Sequence, residues 1–125
     1  LKEFNNLGDM AYSEKLEKRM DQWFEGKGIE VKSKKMFGGL CYLVNDKMLA
    51  GISGDRLMAR IDPDIYEEAL TKPGASVMDF TGRTMKGYVY VDYDGMGSDE
   101  GLEEWIVLCL DYNPKAKSSK KKKKK

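Results

Sequence analysis

The chain has 125 residues, with 22 Lys and Arg, 21 Asp and Glu, two Cys and no His. That length suits one domain with a core of its own. The missing histidine removes imidazole bases and ligands, and two cysteines set neither a disulfide framework nor a metal-type spacing. The formal net charge of +1 hides an asymmetry: eight Lys and no acid lie from Lys115 on, so residues 1–114 hold 14 cations against 21 anions, a net −7. An acidic body is a poor match for a phosphate backbone, so any attraction to nucleic acid is expected from the tail alone.

Residues 1–10 read as an irregular leader, because Met10-Ala11-Tyr12-Ser13 resembles a native start. Ser13 is a candidate N-cap, with Glu14 in the first turn. Leu16, Met20, Trp23 and Phe24 then form one helical stripe, with Trp23 and Phe24 expected in the core, and Gly26 and Gly28 end it. Ile29–Phe37 alternates as a strand. Gly38-Gly39 suggests a bulge that bends this strand on towards Val44, or the close approach of another backbone. A phosphate-cradling loop is the weaker reading, since no Lys-Ser/Thr follows and no helix is expected to start there.

Asn45-Asp46 suits a type I′ hairpin, and Gly54-Asp55 a II′ turn. Met48, Ala50 and Ile52, then Leu57, Ala59 and Ile61, alternate with one face inward. Asp62-Pro63 starts a second helix through Ile65, Tyr66, Ala69 and Leu70, which stops before Lys72-Pro73-Gly74. Ala75–Phe80 and Met85–Val91 flank a hairpin at 81–84. Val89 and Val91 are expected to face one way, Tyr88 and Tyr90 the other. Tyr93–Gly97 reads as a Gly/Asp loop.

Ser98 caps a third helix whose core stripe is Leu102, Trp105, Ile106, Cys109 and Leu110. Val107 and Leu108 add apolar surface, either a subunit interface or a side covered by neighbouring strands. Asn113-Pro114 ends the helix. Residues 115–125 form a Lys-rich tail expected to be disordered. Without a signal peptide or a bilayer-length apolar run, the expected compartment is the cytoplasm, with no membrane partner.

Little catalytic chemistry is legible. Gly51-Ile52-Ser53-Gly54-Asp55 lacks the last glycine of a nucleophile elbow. Glu67-Glu68 and Glu103-Glu104 are adjacent on helices and point apart. Asp92, Asp94 and Asp99 lack EF-hand spacing. Neither a metal nor a cofactor is expected. The candidate polar site is Arg60, Asp79, Arg83 and Lys86 around Phe80. Three cations and a carboxylate there would grip an anion or a partner's acidic residue, or form a plain surface salt-bridge cluster.

Lys35-Met36-Phe37-Gly38-Gly39-Leu40, Met48-Leu49-Ala50-Gly51, Met78-Asp79-Phe80-Thr81-Gly82-Arg83, Met85-Lys86-Gly87-Tyr88-Val89, and Trp105 before Asn113-Pro114 together resemble the TfoX N-terminal domain. This is the amino-terminal part of the TfoX/Sxy competence regulators, found also as a stand-alone protein. The resemblance covers residues 11–114, almost the whole body. It implies an α+β, two-layer fold like that of secretion chaperones. An antiparallel sheet of about five strands would run in the order α-β-β-β-α-β-β-α, with Met36, Phe37, Gly38 and Gly39 shaping it. It also implies a non-enzymatic regulatory role in transcription of competence genes, through a protein partner such as a transcription activator. Separately from the resemblance, a homodimer is expected. Two alternatives stay open. One is a small-molecule or anion-binding domain, or an enzyme, using Arg60, Arg83 and Lys86. The other is nonspecific nucleic-acid binding through the tail.

Overall fold

Turn chemistry sets the architecture. A computed structural model describes residues 12–36, 39–80 and 83–116, and the side chains at 79, 80 and 83–85 are also outside the description. The expected leader, all of the tail beyond Ala116, and Phe37, Gly38, Thr81 and Gly82 thus lie outside the described residues. Asn45 and Asp46 hold φ of 57° and 64°, the double left-handed step of a type I′ turn. They join β2 (Gly39–Val44) to β3 (Lys47–Ser53). Gly54, at φ 62°, turns β3 into β4 (Arg56–Arg60). A further hairpin links β5 (Ala75–Phe80) to β6 (Arg83–Val91).

The expected single bent strand from Ile29 to Val44 is two strands. β1 (Lys32–Met36) runs antiparallel to β2, with Met36 opposite Gly39. The chain therefore reverses between Met36 and Gly39 instead of running on through the glycine pair. The other reading of it, close backbone approach, holds at Gly39, where a Cβ would collide with the carbonyl oxygen of Ile52. The sheet is antiparallel, six-stranded and ordered β1-β2-β3-β4-β6-β5.

Helices cover one face. Ser13 Oγ accepts from Leu16 N–H to open α1 (Glu14–Lys27), and Gly28 closes it in the left-handed region. Leu16, Met20 and Phe24 are buried, whereas Trp23 is half-buried, edge-on to Phe24 and beneath Lys27. Asp62 and Pro63 open a 3₁₀ turn that leads into α2 (Tyr66–Ala69). The expected loop at 93–97 holds one helical turn, α3 (Tyr93–Met96), because the Asp92 carboxylate accepts from Asp94 N–H. α4 (Asp99–Tyr112) starts at Ser98, whose Oγ accepts from Gly101 N–H. The resulting order is α-β-β-β-β-α-β-β-α-α.

Side chains from all four helices join one core with Leu40, Tyr42, Ala50, Ile52, Leu57, Ala59, Ile61, Val89 and Val91. A bulge lets Leu49 and Ala50 both face this core. Leu108 is half-buried against the same core, so its own domain covers it. Val107 is exposed, on a helix side that also carries Glu103 and Glu104, paired with Lys27 and Lys72. Asn113 is buried and latches α4 to the first hairpin. Its Nδ2 donates to Val44 O at 3.2 Å, its Oδ1 accepts from Asn45, and its carbonyl accepts from Lys47. No described helix is long and apolar enough to cross a membrane.

Both cysteines are buried and free. Burial pushes the Cys109 thiol up to about 12 from an ordinary 9.0. The native state thus favours the protonated thiol. This contribution is whole below pH 9 and is lost as pH rises towards 12. Urea midpoints should therefore fall above pH 9, and less steeply in Cys109→Ala. An identical slope in that variant contradicts the assignment.

Candidate functional site

The second sheet face carries the unusual chemistry. Opposed pairs set one row across it: Lys34, Cys41, Gly51, Met58, Tyr90 and Ser76. Beside that row Lys32 opposes Leu43 and Leu43 opposes Met48, while Arg60 opposes Tyr88. None of these side chains belongs to the helix-covered core. The middle is apolar and close-packed: Cys41 and Met58 are buried, and the Met58 methyl lies over Gly51. Leu43, Met48, Tyr88 and Tyr90 are partly exposed, and Lys32 and Lys34 are exposed.

Two guanidinium groups lie on tyrosine rings. Arg56 Cζ is 3.7 Å from the Tyr90 ring centre, a close cation–π stack. Arg60 sits between Tyr88 at 5.6 Å and Tyr112 at 5.9 Å, and its Nη1 donates to Met48 O. Among the strand residues whose side chains are described, this face holds Lys32, Lys34, Arg56 and Arg60 and no carboxylate. A rim acid, Asp46, approaches Lys32 at 4.0 Å.

Of the four expected site residues, the side chains of Arg60 and Lys86 are described. Arg60 lies beside Tyr88, two residues along β6 from exposed Lys86. Asp79 opposes Thr84, and Arg83 opposes Phe80 at the turn. The side chains of Asp79 and Arg83 are outside the described residues. Pairing shifts irregularly between Val77 and Asp79, so simple alternation does not carry the face from Tyr88 back to Arg83. Sequence reasoning passed over Arg56 and Lys34. The signal for Arg56 was the set Arg56, Met58 and Arg60, which alternates with the core set Leu57, Ala59 and Ile61. Its pairing with Tyr90 needed the long-range β4–β6 register.

At the other end of the sheet a cleft is lined by Ser13, Lys15, Arg19, Asp55, Asp92 and Asp94. Its lining mixes two cations with three carboxylates, and Arg19 is engaged beyond it, donating to Ser98 O and pairing with Asp99 at 3.5 Å. The cleft therefore presents no field of one sign.

Two buried groups on β2 are shifted towards their neutral forms. Burial raises Cys41 despite Lys34, and burial with the Asp21 hydrogen bond raises Tyr42. Both shifts hold the neutral form. Among the described residues no cluster of His, Cys, Asp and Glu is placed to hold a metal.

Neither the curated proteins nor the solved structures gave a match. Residues 22–112, which span the sheet, the helical layer and the tyrosine-bearing strand, match the TfoX N-terminal domain, and the chain belongs to that family.

Proposed function

We propose that this chain is a non-enzymatic protein-interaction domain acting in transcriptional regulation of competence, through contact with a transcription activator in the cytoplasm. The observation that carries the reading is the sheet face that no described helix covers, where partly exposed Leu43 and Met48 adjoin a buried centre, bordered by Lys32, Lys34, Arg56 and Arg60 with no carboxylate among the strand residues whose side chains are described. Such a surface suits a macromolecular partner more than a small substrate, which concave pockets hold. The raised thiols and phenol support the absence of chemistry, because their reactive forms are suppressed.

The test is partner capture on the immobilised protein, compared with the double variant Arg83→Glu/Lys86→Glu. The wild type should retain a transcription regulator, and the variant should lose it with no change in melting temperature. Equal capture by both proteins removes Arg83 and Lys86 from the contact. Absence of any transcription regulator from the wild-type capture removes the competence role. Light scattering on the same samples should report a homodimer, and a monomer mass rejects that part.

A further inference from the structure

We infer that the sheet face left uncovered by the described helices takes an acidic polypeptide segment that also carries apolar side chains. This rests on the interaction-domain reading and names the partner's chemistry. Two features set the chemistry together. Lys34 and Arg56 have no carboxylate partner among the described residues, and between them Cys41, Gly51 and Met58 form a buried floor, which leaves the apolar contact to its partly exposed neighbours. Stacking on Tyr90 fixes the plane of the Arg56 guanidinium. A guanidinium held flat on a ring keeps its N–H edge available, and that edge matches a carboxylate in two parallel hydrogen bonds. Partly exposed Leu43 and Met48 supply that contact, and the flexible thioether of Met48 adapts to varied side chains.

Charge decides against the other occupants. A second copy of this face would set lysine and arginine against lysine and arginine. Single-stranded nucleic acid would need ring faces for its bases, yet the Tyr90 ring is already covered by Arg56. The net −7 of residues 1–114 also opposes a long polyanion more than a short acidic segment. The acids are segregated: α4 alone carries Asp99, Glu100, Glu103, Glu104 and Asp111 and no cation.

A random-peptide phage library panned on the full chain, and in parallel on Lys34→Glu/Arg56→Glu, tests the inference. Lys34→Glu alone, at an exposed position on an edge strand, is the second variant should the double variant fail to fold. Peptides rich in Asp and Glu with interspersed Leu or Phe should be enriched on the wild type. Their affinity should fall about tenfold or more in the double variant and part-way in Lys34→Glu. Both variants keep the Lys-rich tail, so peptides held by the tail are recovered equally from all three proteins, and equal recovery overturns the inference. Enrichment of neutral or basic sequences overturns it too, as does a failure to enrich any sequence. An oligo-dT strand that binds the wild type and displaces the peptides, but not from the variant, assigns the face to nucleic acid. A homodimer that dissociates in the variant assigns it to a second copy. Peptides selected at another surface leave the interaction-domain reading standing while removing this face.

Discussion

Trp105→Ala is expected to lower the unfolding free energy by about 3–5 kcal/mol, the range for emptying a large aromatic site. The indole is 2% exposed and sits mid-way along α4. Leu102, Ile106 and Cys109 bury the same helix face against a sheet whose inward residues are as deeply packed. Interiors at crystal-like density collapse only partly around such a void. The alanine costs nothing in helix propensity, so the loss is one of packing. Urea unfolding should show a lower midpoint with an unchanged slope, and the melting temperature should fall on the order of 10–20 °C. A loss below about 1 kcal/mol means that the helical layer repacks freely and is not fixed by this side chain.

Gly39→Val is expected to be at least as damaging as typical core overpacking, roughly 1–3 kcal/mol. Gly39 opens β2 between β1 and β3, and a Cβ there meets the Ile52 carbonyl oxygen and carbon. The obstacle is backbone in a central strand, so no side chain swings aside to make room. Relief requires β2 and β3 to part, which weakens the ladder that carries Tyr42 and Ala50 into the core. Gly26→Val offers the control, since nothing lies within 4 Å of a Cβ at that site. It should be neutral or gain a few tenths of a kcal/mol, because Val is a better helix former than Gly and the site lies inside α1. Equal losses at the two glycines argue against the close approach.

Much of this fold was legible because its punctuation uses residues with few alternatives. Asn45-Asp46 and Gly54 tolerate left-handed backbone, and Ser13, Asp62 and Ser98 supply cap oxygens, so helix starts and two hairpins followed from local chemistry. The reversal after Met36 was harder, because a glycine pair inside an alternating run satisfies a bulge as well as a turn. α3 escaped because four residues give no periodicity to read. The interaction surface was the least legible part. Lys34, Arg56 and Tyr90 meet through pairings between distant strands, and only the register shows that they share a face.

The Asn113 latch has a consequence for biosynthesis. Val44, Asn45 and Lys47 find their hydrogen-bond partners 66–69 residues downstream. Contacts of such separation form late and slow the approach to the native state. While the chain is still being translated, the first hairpin can close its own turn but lacks the lock that fixes it to the last helix. Native closure therefore waits until Asn113 has cleared the ribosome, and a nascent chain stalled before that point leaves the Val44 carbonyl without its amide donor.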